Sequence, residues 1–318
     1  MSERPLVSCV IPSWNRKADL RVCLQSLRRQ EGVEREVIVV DDASTDGSPQ
    51  MVREEFPEVA LICGTRTVGP AHRRNQGVVA SHGDYVLQLD SDTEFANPRA
   101  LANMAAILAT RREIGSVGGE IAAHIQDWDH VHSVRLDRRD SPQRVSGGRN
   151  DEVQCDCLAA LCCMARRSDV LALGGYDPYI GYGGEDTDLG FRLKKAGFQN
   201  IARFDCAAVH HVSSSGRHED ASYRYSLAGW RFTIKHRGVP LFLFYFAWYV
   251  FRLGITLVLV RVRPRAPWAD PARVAALRSI VRAALPNIGG MWSAVRCRHC
   301  NFLDPAEMRR FEEWKTRR

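Results

Sequence analysis

Over the first hundred residues, apolar runs of strand length alternate with longer stretches whose apolar positions recur at helical spacing. That pattern predicts a parallel sheet with helices on its faces. Val7-Ser8-Cys9-Val10-Ile11 reads as the first strand, followed by a Pro12-Ser13-Trp14-Asn15 turn and a helix from about Ala18 to Gln30. The second strand, Glu36 to Val40, enters the polar turn Asp41-Asp42-Ala43-Ser44-Thr45-Asp46-Gly47, ahead of a helix capped by Asp46 or Ser48. A third strand, Val59 to Cys63, leads into Gly69-Pro70-Ala71-His72-Arg73-Arg74-Asn75-Gln76-Gly77 and a short helix. The fourth, Tyr85-Val86-Leu87-Gln88-Leu89, closes on Asp90-Ser91-Asp92.

Further along, Cys162-Cys163 belongs to an apolar strand, and Glu185 to Gly197 predicts a helix with three carboxylates in its first turn. Phe198 to Val209 predicts one more strand, ending in His210-His211 and Ser213-Ser214-Ser215. Ala123 to Asn150, polar and charged with Gly147-Gly148, reads as a mobile loop, either a lid or a plain surface excursion.

Composition narrows the class. A chain of 318 residues with 45% hydrophobic and 25% charged residues buries a sizeable core, and 44 Lys+Arg against 37 Asp+Glu favour an anionic partner. Ten cysteines follow a start with no apolar leader, so Cys9, Cys23, Cys63 and Cys206 read as buried small hydrophobes in a cytoplasmic protein. Cys297-Arg298-His299-Cys300 has the spacing of half a zinc site, with Cys155-Asp156-Cys157 the only evident other half.

In an open sheet of this kind, ligands lie outside the carboxyl ends of the strands. Here those ends carry Asn15, Asp41, Asp42, Arg74, Asp90 and Asp92. Two carboxylates one residue apart at the end of a buried strand suit a hard divalent cation on a diphosphate, and helix capping near Asn97-Pro98 is the competing reading. Three carboxylates at a helix N-terminus complement its dipole or serve catalysis, and Gly183-Gly184 ahead of them permits close approach of a ligand. A strand-end histidine such as His210 completes a cation site or is a hydrogen-bonded structural residue.

Five of these segments together resemble family 2 glycosyltransferases of the GT-A fold: Pro12-Ser13-Trp14-Asn15-Arg16, Val39 to Gly47, Gly69-Pro70-Ala71 with Arg74-Asn75-Gln76-Gly77, Asp90-Ser91-Asp92, and Gly184-Glu185-Asp186-Thr187-Asp188. The resemblance covers residues 5–235, nearest the bacterial rhamnosyltransferase-like enzymes of polysaccharide and cell-wall assembly. It implies an α/β fold, a Rossmann-like mixed, mostly parallel sheet flanked by helices over residues 1–235; the C-terminal helical region over 236–318, read as membrane-associating, rests on its own composition. It implies an inverting, metal-dependent glycosyltransferase using a UDP- or dTDP-sugar, a saccharide or lipid-linked acceptor, and Mg²⁺ or Mn²⁺. Residue by residue, Pro12 and Asn15 would line the base pocket, Asp41 or Asp42 would accept a hydrogen bond from the base, and Arg74 would contact the nucleotide. Asp90 and Asp92 would hold the cation, Asp92 more directly and Asp90 nearer the ribose, with His210 a further metal or diphosphate ligand. Asp186, in the catalytic Glu185-Asp186 pair, would be the base. Trp14 departs from the usual Tyr or Phe, and two histidines stand where one would do.

The alternatives fare worse on chemistry. A nucleotidyltransferase wants a glycine-rich phosphate loop after the first strand, which Pro12-Ser13-Trp14-Asn15 is not. A nucleic-acid-binding module wants a basic patch interleaved with aromatics, and none is recognisable. Intact Asp90, Asp92 and Asp186 speak against a binding protein without activity.

Val239 to Val260 is long enough to span a bilayer, yet Arg252 sits in its middle and basic residues flank both ends (Lys235, Arg237; Arg261, Arg263, Arg265). An aromatic-rich segment of this kind suits a helix in the headgroup region, or a broken hairpin, on an anionic leaflet at the cytoplasmic face of the inner membrane. Burial against the rest of the chain or in a dimer interface is the other reading. Asp270 to Leu285 reads as an amphipathic helix.

Overall fold

The computed structural model describes residues 5–122, 130–136, 142–158, 161–180, 183–211, 221–262 and 271–316. Ser213 to Ser215, Arg263, Arg265 and Asp270, singled out above, lie outside the described residues, as do 123–129 and 137–141. Two compact units emerge: Met1–Pro178, Asp186–Arg217 and Asn301–Arg318 form the first, Tyr179–Glu185 and His218–Cys300 the second.

In chain order the first unit contains β1 (Leu6–Ser13), α1 (Lys17–Arg28), β2 (Glu34–Asp41), α2 (Ser48–Glu55), β3 (Ala60–Cys63), α3 (Pro70–Ala80), β4 (Tyr85–Leu89), β5 (Thr93–Glu94), α4 (Ala100–Thr110), β6 (Ile114–Gly118) and β7 (Glu120–Ala122). It continues with β8 (His130–Leu136), β9 (Pro142–Gly148), β10 (Glu152–Cys155), β11 (Cys162–Arg166), α5 (Arg167–Ala172), α6 (Glu185–Lys195), β12 (Gln199–Arg203) and β13 (Ala208–His210). Eight strands form the main sheet in the order β10-β12-β6-β11-β4-β1-β2-β3. β4, β1, β2 and β3 run parallel and β12 is parallel to β6, while β11 runs antiparallel between β4 and β6. This is the mixed, mostly parallel sheet expected.

Both faces of the sheet are covered, which is why its strands read as near-continuous apolar runs. Val7, Cys9 and Ile11 of β1 join Leu87 and Leu89 of β4 in a core with Leu20, Leu24 and Leu27 of α1 and Leu101, Met104 and Leu108 of α4. The alternate residues Val10 and Val86 face the other way, onto Val78 of α3 and Val170 of α5.

Two expectations are corrected. The stretch 123–150 is no loop throughout: β8 and β9 pair antiparallel from His130↔Gly148 to Leu136↔Pro142, in a second, five-stranded sheet ordered β5-β13-β7-β8-β9. The single strand expected over 198–209 is broken by a 3-10 turn at Phe204–Cys206. β12 stays in the main sheet and β13 crosses to the small one. The turn persists because its exposed carbonyl is satisfied, Asp205 O accepting from Asn97 Nδ2 at 2.8 Å and Asn103 Nδ2 at 3.2 Å.

The second unit comprises α7 (Ala221–Arg237), α8 (Val239–Val262) and α9 (Pro271–Arg296). Trp230 lies at its centre, donating from Nε1 to Ile280 O at 2.8 Å and meeting Phe242 and Tyr249 edge-on. α8 runs unbroken. Phe242, Tyr245, Phe246 and Tyr249, at helical spacing, pack into this core. Phe244, Trp248, Phe251, Ile255 and Val258 form a second stripe, 43–64% exposed. α9 extends beyond the segment expected, passing through Pro286.

The chain then returns to the first unit with α10 (Pro305–Thr316). Phe302 N donates to Gly174 O at 2.8 Å, Glu312 reaches His72 Nε2 at 2.9 Å, and the Phe311 ring lies 5.2 Å from that of His72. The boundary read at 235/236 is thus replaced by a division at 217/218, because α7 shares the Trp230 core and Asn301–Arg318 packs elsewhere.

Candidate active site

At the carboxyl ends of β1 and β2 the backbone is folded back on itself. Asp42 N donates to Ser13 O at 2.8 Å, and Asn15, in the left-handed region at φ 51°, donates from its backbone N to Ser44 Oγ at 2.9 Å. Asn15 Oδ1 accepts from Thr45 N at 2.8 Å. Ala43 is also left-handed, at φ 64°. Two non-glycine residues in this region mark stored strain of the sort that ligand sites retain.

The two adjacent aspartates differ sharply. Asp42 Oδ1 accepts from Val68 N (2.8 Å) and Arg73 Nε (2.7 Å), and its Oδ2 from Gly69 N (2.9 Å), so it locks the entry to α3. Asp41 is 2% exposed; its Oδ2 accepts from Ser44 N at 2.9 Å, while Oδ1 is buried and has no partner among the described residues. Leaving such an acceptor unmet costs about 1–3 kcal/mol. A donor brought there by a ligand would satisfy it. Pro12 lies buried just before, in β1.

The acidic edge begins where β4 ends. Arg74 Nη2 donates to Asp90 Oδ1 at 2.6 Å. Burial raises the Asp90 carboxyl above its ordinary range, with Arg74 opposing and the charges of Asp92 and Asp186 adding to the rise. The small sheet delivers the rest of the cluster. β13 pairs His210 with Thr93 of β5 and with Ala122 of β7, and His211 N donates to Asp92 O at 2.9 Å. This register puts the His210 ring between two carboxylates, Nδ1 2.8 Å from Glu120 Oε1 and Nε2 3.5 Å from Asp92 Oδ2. Burial works against its charge, but Asp92 and Glu120 prevail and raise His210 to about 10. Asp92 also resists ionisation through burial, yet His210 and Arg16, which donates to it directly, hold it below the ordinary range. Of the two histidines His210 faces Asp92, and His211 pairs with Glu94 at 3.1 Å.

The third component comes from α6 and the turn preceding it. Gly175, at φ 72°, must be glycine, since a Cβ there would lie 2.6 Å from Asn75 Oδ1 and 2.6 Å from Leu303. Asn75 clasps Tyr176 at both backbone groups, 2.8 Å each. Asp188 binds Arg192 at 2.8 Å, and Arg192 donates on to Leu173 O and Gly175 O, so this carboxylate is an anchor for the turn. Asp186 Oδ1 accepts from Thr187 N at 2.6 Å, and Glu185 Oε2 from Gly184 N at 3.1 Å.

Arg16 and Glu120 escaped the sequence reading. Arg16 stands inside a recognised motif without a role assigned to it, whereas Glu120 carries no local signal. Among the described residues no three His, Cys, Asp or Glu side chains gather to enclose an ion unaided. A carboxylate and an imidazole, Asp92 and His210, nevertheless converge, and the imidazole becomes a ligand only by releasing the proton that Asp92 and Glu120 hold on it. That donor pair fits a hard divalent cation whose remaining positions are filled by water and diphosphate oxygens.

Residues 8–173 match the family model described as glycosyl transferase family 2, and 155–218 match that of the N-terminal domain of galactosyltransferase. The succinoglycan biosynthesis protein ExoO of Rhizobium meliloti is 34% identical over 136 residues, covering 42% of this chain and 36% of that protein. An N-acetylglucosaminyltransferase of Mesorhizobium japonicum is 29% identical over 210 residues, 61% of this chain and 49% of its own length. The chain thus matches less than half the length of these relatives. Among solved structures, the mannosyltransferase PcManGT from Pyrobaculum calidifontis, in complex with GDP-Man and Mn²⁺, superposes with a TM-score of 0.54 at 19% identity, covering 99% of this chain and 84% of that one. S. aureus TarS 1-349 superposes at 0.54 with 15% identity, covering 98% and 92%.

Proposed function

Because the chain belongs to glycosyl transferase family 2, we propose that it moves a hexosyl or deoxyhexosyl group from a nucleoside-diphosphate sugar to an acceptor hydroxyl, with inversion at the anomeric carbon, in polysaccharide or cell-wall assembly. One observation carries this reading: the same sheet edge holds an unmet acceptor, Asp41 Oδ1, and a diphosphate-suited cluster of Asp92, His210 and Arg74. The unmet oxygen suits the N3–H of a pyrimidine, hence a UDP- or dTDP-sugar. Asp42, with both oxygens engaged, keeps the base loop in place.

In the transfer, Asp186 takes the proton of the acceptor hydroxyl as that oxygen attacks the anomeric carbon. The bond from that carbon to the diphosphate oxygen breaks on the opposite side, and the nucleoside diphosphate leaves with the electron pair. Arg74 offers it positive charge. A divalent cation, held by Asp92 and His210 with Asp90 nearer the ribose, would supply further neutralisation of the leaving diphosphate. The mannosyltransferase crystallised with GDP-Man and Mn²⁺ supports that assignment at the level of fold.

Nucleotide release from a panel of UDP-, dTDP- and GDP-sugars, with Mn²⁺, Mg²⁺ or EDTA and a saccharide acceptor mixture, tests the reading. Cation-dependent release from one pyrimidine donor is expected. Asp41→Asn keeps the bond to Ser44 N but turns a donor toward the base, so the KM for that donor should rise roughly 10–100-fold, the worth of one charge-assisted hydrogen bond. A guanine donor, or an unchanged KM, would remove Asp41 from the base pocket.

The helical unit supports contact with a membrane surface. Val239–Arg261 is apolar and long enough to cross a membrane, and the exposed stripe of Phe244, Trp248, Phe251, Ile255 and Val258 is accompanied by exposed Arg252 and Arg261. An apolar face with cationic neighbours suits an interfacial helix on anionic lipid, which would bring the site to a lipid-linked acceptor at the cytoplasmic face of the membrane. The protein should co-float with vesicles of one-third phosphatidylglycerol in phosphatidylcholine and much less with phosphatidylcholine alone. Trp248→Ser with Phe251→Ser should weaken that partitioning at least about tenfold, since two large apolar side chains are lost. Absence of flotation with anionic vesicles would refute the contact.

A further inference from the structure

Arg16 stands between two carboxylates. It immediately precedes α1, and its Nη1 donates to Asp92 Oδ2 while lying 3.8 Å from Oδ2 of Asp19, in the first turn of that helix. Among the described residues the guanidinium has no other hydrogen bond or ion pair. The two carboxylates differ in setting, the Asp92 side chain being 8% exposed and that of Asp19 24%. Burial strengthens the pair with Asp92, and solvent weakens the pull of Asp19. Asp92 Oδ2 also faces His210 Nε2 at 3.5 Å, so this oxygen, with two lone-pair sites, is occupied by one nitrogen and approached by another.

A divalent cation held by Asp92 would arrive beside a guanidinium of its own sign, in a largely buried setting where such repulsion is little screened. Asp90, Asp92 and Glu120 are already matched by Arg16, Arg74 and His210, so the added charge is accommodated only as resident positive charge moves away. Arg74 is fixed: it is 2% exposed and bound to Asp90 at 2.6 Å, with its Cζ 5.9 Å from the centre of the Tyr176 ring. Arg16 is half-buried and has a second anion within reach on the adjoining helix.

We infer that Arg16 is the resident counter-ion of Asp92, exchanged for the divalent cation by moving onto Asp19. In the cation-free protein it spares Asp92 the cost of standing as an unpaired, buried anion. When the cation binds, Arg16 gives up Asp92 and closes the 3.8 Å gap to Asp19. The contact is thus a built-in competitor, and affinity for the cation falls in proportion to the share of molecules whose Asp92 is open. The inference rests on Asp92 holding the cation.

Mn²⁺ binding to the full chain without nucleotide, followed by loss of the free-ion EPR signal, tests the exchange. Arg16→Met removes the charge and keeps an unbranched side chain, and should tighten Mn²⁺ binding about tenfold, the low end for a bond between two charged groups. Asp19→Asn, a change toward the surface, removes the resting place. It should weaken binding about threefold in the wild type and leave it unchanged in the Arg16→Met background, since residues acting through one contact are not additive. In EDTA the Tm of Arg16→Met should fall, and saturating Mn²⁺ should close the gap. Unchanged or weaker Mn²⁺ binding in Arg16→Met overturns the inference and makes Arg16 a fixed prop of Asp92. So does an Asp19→Asn variant that binds as tightly as the wild type. Asp92→Asn separates the two failures: Mn²⁺ binding that survives there takes the cation away from Asp92, and the role of Arg16 goes with it.

Discussion

Asp186→Asn should lose turnover by roughly 10²–10⁴-fold in the nucleotide-release assay, the usual worth of a positioned base. The substitution is nearly isosteric. An asparagine oxygen still accepts from Thr187 N, the bond that seats Asp186 at the start of α6, so the turn is retained. Only the capacity to take a proton is removed. Because Asp41, Arg74 and Asp92 are untouched, affinity for the free nucleoside diphosphate, measured by calorimetry with Mn²⁺, should stay within about twofold. The two numbers together separate chemistry from binding. Near-normal turnover would take Asp186 out of the base role, and a parallel loss of binding would make it a structural residue of the pocket.

Asp92→Asn is expected to act on the other half of the reaction. In the folded protein Asp90, Asp92 and Glu120 meet Arg16, Arg74 and His210, three anions against three cations. The substitution leaves that cluster with a surplus positive charge and would remove the carboxylate proposed as the more direct ligand. The cation-dependent part of nucleotide affinity should therefore fall at least about 100-fold, beyond the range that follows loss of a supporting contact. Binding in EDTA should change much less, since Asp41 and Arg74, proposed to hold the base and phosphate ends, are untouched. Titrations of UDP and dTDP with Mn²⁺ and with EDTA measure both. An unchanged Mn²⁺ dependence would move the cation away from Asp92.

What was legible in the chain had local physical causes. β1, β2, β3 and β4 announce themselves because a strand covered on both faces must be apolar throughout, and the polar turns after them stand out against that background. The acidic edge followed, since strand ends and topology alone bring Asp41 and Asp90 together. Long-range pairing was harder. β8 and β9 carry no apolar run, so nothing in their composition distinguishes a hairpin from a loop, and their order comes from pairing with each other. The break at Phe204–Cys206 was hidden because Asn97 and Asn103, about a hundred positions earlier, satisfy its carbonyl. Glu120 became a site residue only through the β7–β13 register, which no single segment encodes. At Asp188 the acidic helix start left dipole complementarity and chemistry both open, and the ion pair with Arg192 makes it an anchor.

The return of Asn301–Arg318 to the sheet has a consequence for how the protein is made. The first unit is interrupted, its last helix lying beyond the whole of His218–Cys300 in the chain. On the ribosome, α7, α8 and α9 are complete before α10 is synthesised. His72 then waits for Glu312 and Phe311, and Asn75 for Phe302 O at 3.4 Å. Domains fold as their residues emerge. If the helical unit meets a lipid surface as proposed, it is free to do so while α3, which carries Arg74, still lacks its final clamp, and attachment would then precede completion of the proposed site.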